Sequence, residues 1–205
     1  MIAATSGIEV ISVDYTLSTD EPFPRALNDL VAVYQALLKT FPAAAIAVGG
    51  SSAGGNLTLA TVLKLKALNI DVPGALFVGT PNADLMYTGD TIITNEYVDN
   101  TLVTVEGMIR ASAKLYAGDH DLKNPLISPL YGDFSDFPPT YLVAGTRDLL
   151  LSDTVKVHRK LREAGVEADL NVFEGLPHGA YLAAPGSKEF NGALGDLKTF
   201  LQRHL

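Results

Sequence analysis

Apolar runs of strand length alternate along the chain with longer stretches in helical register. That alternation predicts βα units packed around a mostly parallel sheet. The segment from Ile8 to Tyr15 (IEVISVDY) is rich in β-branched residues and reads as a buried strand. A turn, TDEPFP, follows, with Pro24 suited to a helix start. Leu27, Leu30, Val31, Tyr34 and Leu38 then recur at amphipathic helical intervals. Ala45 to Val48, Ala75 to Val78, Thr140 to Ala144 and Ala168 to Phe173 read as the remaining strands. Leu57 to Ala67 is apolar enough for a buried helix, and further helices are predicted from Asp153 to Ala164 and from Lys188 to His204. Residues 80–135 are less regular, and only Val105 to Tyr116 reads as helical there. No repeat, low-complexity tract or linker divides the sequence, so residues 1–205 are expected to form one layered α/β domain of about five strands.

Composition narrows the function. A chain of 205 residues can bury roughly 70% of its unfolded surface. With 47% apolar and 19% charged residues it has the make-up of a soluble globular protein. A net charge of −8 with no run of Lys or Arg argues against a nucleic-acid or anionic-membrane partner. Cysteine is absent, which excludes disulfides, thiolate catalysis and cysteine metal sites. No apolar stretch approaches a membrane span, and MIAATSGIEV lacks the charged and apolar regions of a signal peptide, so the expected compartment is the cytoplasm.

The glycine-rich turn carries the first chemical signal. Gly50-Ser51-Ser52-Ala53-Gly54 is a G-x-S-x-G pattern, and only Ser52 has glycine at both −2 and +2. The bare pentapeptide is a weak signal, but here an apolar strand enters it and a helix leaves it. That is the strand–turn–helix elbow that thrusts a serine hydroxyl out at the carboxyl end of a sheet. The Ala53 N–H, near the helix start, can point at a developing oxyanion. The competing readings are a turn that only packs helix on sheet and a phosphate cradle. No Lys-Ser/Thr pair follows Gly55, which speaks against a P-loop, and G-x-G-x-x-G is not supplied.

Ser52 needs a base to take its proton. Of four histidines, His204 lies one residue from the end and is expected to fray. His158 sits beside Lys156 and Arg159, which suits a solvated helix face, and His120 lies in the acidic loop GDHDLK. His178, in LPHGAY, directly follows a strand, where catalytic loops gather in open α/β sheets; a histidine bonded only within its loop is the alternative. The carboxylate that would orient it is Asp148, just after TYLVAGT. Asp153 competes, but its place at a helix start suggests a cap. The order Ser52, Asp148, His178 is that of α/β-hydrolases, not of chymotrypsin or subtilisin.

Several blocks in order carry a wider resemblance. VDYTLSTDEPFP is similar to VDYRLAPE-x-PFP, GSSAGGNL to GDSAGGNL, and the SPLYGDF–FPPTYLVAGTRD and FEGLPHGAY segments fit the same pattern. Over essentially its whole length the chain resembles bacterial hormone-sensitive-lipase-like carboxylesterases of the α/β-hydrolase superfamily. The resemblance implies Ser52, Asp148 and His178 as catalytic triad, a small-molecule acyl ester of short to medium chain as substrate, no metal or organic cofactor, and a possible homodimer through the last strand and helix. GTRDLLLSDTV also looks like a subgroup that includes lactone hydrolases. Peptidase or thioesterase chemistry on the same fold, or a non-catalytic binding role, are the rival functions. The chain departs from the family at Ser51, where an acidic residue is usual, and at Thr16, where Arg is usual. The resemblance further implies an upstream HGGG oxyanion loop, a helical cap and the first strands of the sheet, none of which these 205 residues contain. Activity is therefore expected to be impaired, since one oxyanion donor is typically worth about 10²–10³ in kcat.

Overall fold

The computed structural model describes residues 2–205. Four strands form one fully parallel sheet in the order β1-β2-β3-β4: β1 (Ala47–Ser51), β2 (Ala75–Gly79), β3 (Thr140–Gly145) and β4 (Ala168–Phe173). The register pairs Ser51 with Gly79, Gly79 with Val143, and Gly145 with Phe173. All four strands therefore end on the same rim.

Side-chain alternation on the strands separates two cores. Leu76, Val78 and Leu142 point to one face, where Leu59 and Val62 of α3 (Ala53–Ala67) and Val157 and Leu161 of α6 (Leu151–Glu163) cover them. Phe77, Tyr141 and Val143 point to the other, against Leu194, Leu197 and Phe200 of α7 (Lys188–His204). Strands buried on both faces read as continuous apolar runs, as the sequence does. Helix α2 (Arg25–Leu37) packs Leu27, Val31 and Tyr34 against Leu57, Ala60 and Leu65 of α3. Three further helices, α1 (Ile2–Ser6), α4 (Thr91–Thr94) and α5 (Met108–Ala117), complete the set.

The expected count of about five strands is corrected to four. Residues 8–15 are not a strand, and Val10 and Ile11 are 49% and 52% exposed. Their β-branched side chains favour extended backbone, but strand formation also needs a partner edge, and no backbone hydrogen bond involves residues 9–15 among the described residues. The free edge of β1 does face this segment. Two apolar cavities of about 350 and 340 Å³ lie between them, each lined by Val10 and Ile11 on one side and by Val48 and Gly49 on the other.

Residues 43–45 form a single 3-10 turn, and β1 runs on through the glycines to Ser51. The helix expected from Val105 begins at Met108. His204, expected to fray, is the last residue of α7, with its ring 4.5 Å from that of Phe200. His158 is half-buried, with Nε2 3.3 Å from the Ala168 carbonyl.

Candidate active site

The site is assembled from the four strand exits. Ser52 leaves β1 with φ +59° and ψ −117°, a setting outside the ordinary basins for a residue with a side chain. Strain of this sort costs on the order of 1–3 kcal/mol and persists only where the surroundings enforce it. They do so here: the Ser52 N–H donates to the Gly79 carbonyl at 2.9 Å, while the Ser52 carbonyl accepts from Asn56 N–H at 3.0 Å in the first turn of α3. The close approach within the turn falls on Gly50. A Cβ there would stand 2.5 Å from the Gly54 carbonyl carbon, whereas one on Gly54 would meet nothing. Ala53 opens α3, where a backbone N–H has no acceptor within the helix and points off its end.

The β3 and β4 exits are tied to each other. Thr146 N–H donates to the Phe173 carbonyl at 3.0 Å, and Arg147 N–H to the Leu176 carbonyl at 3.0 Å. This brings the Asp148 turn beside the His178 loop. Asp148 is fully buried, and His178 is 8% exposed. Nδ1 of His178 lies 3.0 Å from Asp148 Oδ1, and Nε2 lies 2.9 Å from Ser52 Oγ. A carboxylate only accepts, so the proton belongs on Nδ1, and Nε2 is left to accept from the serine hydroxyl. The three side chains that the sequence singled out thus meet at one rim in the order hydroxyl, imidazole, carboxylate. The rival candidates do not join them: His120 packs edge-on against Phe23, with ring centroids 5.0 Å apart.

Asp153 is corrected as a cap. It is the third residue of α6, and its Oδ2 accepts from the N–H groups of Ala83 and Asp84 at 2.9 Å each, bracing the loop after β2. Burial, with the Asp84 carboxylate nearby, pushes its carboxyl up to about 7.

Three contacts were not anticipated. Asp99, fully buried, accepts from Leu149 N–H at 3.0 Å and His178 N–H at 3.4 Å, holding the acid and base loops together. Thr80, the first residue beyond β2, donates its hydroxyl to Asp148 Oδ2. Ser51 Oγ lies 2.6 Å from the hydroxyl of Tyr181, three residues past the histidine, and burial pushes that phenol up. Position at a strand exit could have flagged Thr80 as it flagged Asp148. Asp99, in the irregular stretch 79 residues before His178, carried no such signal. The other departure, Thr16, bonds to Asp29 and Arg25 at the start of α2, not to the elbow.

Neither apolar cavity is lined by Ser52, His178 or Asp148. Among the described residues no group of three or more His, Asp or Glu could hold a metal ion, and no helix is long and apolar enough to cross a membrane.

A family model described as alpha/beta hydrolase fold matches residues 1–182. An esterase of Acinetobacter venetianus is 31% identical over 202 residues, 97% of this chain and 66% of the relative. The putative acetyl-hydrolase LipR of Mycobacterium tuberculosis is 31% identical over 205 residues, 100% of this chain and 66% of that protein. Among solved structures, esterase E25 superposes with a TM-score of 0.97 at 50% identity, covering 100% of this chain and 62% of that one. An esterase from the bacterial hormone-sensitive lipase family gives 0.93 at 33% identity, covering 99% and 68%. The chain thus spans slightly less than two thirds of the length of the two sequence relatives.

Proposed function

This chain belongs to the α/β-hydrolase family, in its hormone-sensitive-lipase-like branch, and from that premise we propose that it is a serine carboxylesterase acting on small acyl esters. One observation carries the reading: His178 stands at hydrogen-bond distance from Ser52 on one side and Asp148 on the other. In the proposed reaction Nε2 takes the Ser52 proton as Oγ bonds to the acyl carbon. The Ala53 N–H stabilises the oxyanion. The C–O bond to the alcohol then breaks, and the alcohol leaves with the proton from His178. Water repeats the sequence on the acyl-serine, releasing the acid and restoring the enzyme. Asp148 keeps the proton on Nδ1 and stabilises the imidazolium.

A short-chain acyl group is the proposed substrate preference, supported by the relatives named as an esterase and a putative acetyl-hydrolase. Self-association through β4 and α7 is proposed with it, supported by the unpaired outer edge of β4. A p-nitrophenyl ester series from acetate to decanoate tests the activity. Hydrolysis that is fastest at acetate or butyrate supports the reading, and no turnover of any member beyond the buffer rate refutes it.

A further inference from the structure

Thr80 occupies a backbone setting that its side chain makes costly. It follows β2 at φ +36°, where glycine is at ease and a β-branched residue is a rare outlier. It is fully buried, and its N–H is bonded to the Val143 carbonyl at 2.7 Å. What the threonine contributes there is a hydroxyl. That hydroxyl donates to Asp148 Oδ2 and stands 3.3 Å from His178 Nδ1. The other carboxylate oxygen, Oδ1, takes Leu150 N–H at 2.7 Å and His178 Nδ1 at 3.0 Å.

We propose that Thr80 is a positioning residue that fixes the plane of the Asp148 carboxylate and so aims Oδ1 at His178. The torsion that turns a carboxylate is broad and roughly two-fold, so Oδ1 alone does not define the plane. The Leu150 N–H holds one oxygen, and the Thr80 hydroxyl holds the second from a different strand exit. With both held, the ring stays at the orientation that keeps Nε2 on the serine. Without the hydroxyl, Oδ2 is a buried anionic acceptor lacking its donor, and the carboxylate gains by turning toward another N–H group. The strained backbone is the setting that delivers the hydroxyl to this point.

The proposal rests on the triad reading, so its test uses two readouts. The full chain is prepared with Thr80→Ser, Thr80→Val and Thr80→Gly, and kcat and KM are measured on the best ester of the series. The downfield proton resonance of His178 Nδ1–H is recorded alongside. Val and Gly are expected to lower kcat about 10–100-fold with KM unchanged, as a misaimed catalytic group does, and to weaken or broaden the resonance. Ser is expected to retain both. A folded Val variant with wild-type kcat and resonance overturns the proposal, as does a Ser variant that loses as much as Val. If Val does not fold, Gly decides, since it adds no bulk and relieves the backbone; undiminished kcat and an unchanged resonance in Gly overturn the proposal. If the wild-type chain hydrolyses no ester, the esterase reading fails, and the resonance in the same variants still decides the role of Thr80.

Discussion

The carboxyl rim of the sheet and its β1 edge draw on similar apolar sequence and end in different states. At the rim, LFVG and YLVAG lie in central strands, paired on both sides and covered on both faces, and their exits are cross-bonded by Thr146, Arg147 and Asp99. At the edge, VISV is richer in β-branched residues than either, yet it lies exposed across a trench from β1 with its backbone groups unbonded to protein. Apolar pattern alone therefore does not make a strand. A strand forms where two backbone edges meet at about 4.8 Å, and the trench holds these two apart. The rim can hold strained residues such as Ser52 and Thr80 because neighbouring strands brace it, whereas the edge has no such bracing.

The largest expected difference between the two regions is chemical. Ser52→Ala or His178→Ala should lower kcat for ester hydrolysis by about 10⁴–10⁶, as loss of a group that acts in concert does. Ile11→Ser on the edge should leave kcat within about two-fold, read by initial rates on one ester. Next comes local stability: by amide hydrogen exchange, residues 11–13 should exchange at least about 10³ times faster than Phe77, Val78 and Leu142, which open only with the fold. Equal protection would erase the distinction. A smaller effect is steric. A Cβ on Gly145 would stand 2.0 Å from the Leu176 carbonyl oxygen, so Gly145→Ala should destabilise by about 3 kcal/mol, against about 0.5 kcal/mol or less for Ile11→Ser. Urea unfolding midpoints at constant m-value measure both.

The smallest effect is a pH dependence at the rim. The folded chain holds the Asp153 proton up to about 7, while the unfolded chain releases it in the ordinary carboxyl range. The fold therefore binds more protons between those limits, and this contribution to stability falls as pH rises from about 4 to 7 and is flat above. Wild-type chain should lose on the order of 1–3 kcal/mol more than Asp153→Asn over that window. A parallel pH course for the two would show that Asp153 does not hold the proton.

The rim was largely legible in the sequence. Serine, carboxylate and imidazole each follow an apolar run, and a parallel sheet brings every such exit to one side, so three local signals sufficed for a long-range arrangement. The edge was not legible, because VISV has at least the strand propensity of LFVG and lacks only the paired neighbours that sequence does not display. Asp153 escapes a local reading for a related reason. An acidic residue near a helix start resembles a cap, and only the fold shows that the loop after β2 supplies its donors. Asp99 and the bond between Ser51 and Tyr181 depend on loop paths that no local periodicity encodes.

The most direct test of the account is covalent. The chain should be treated with a fluorophosphonate and digested, and the modified residue identified by mass spectrometry. A single adduct on Ser52 is expected, formed at a rate that collapses in His178→Ala. An unmodified Ser52, or an adduct that forms equally fast without the imidazole, would contradict it.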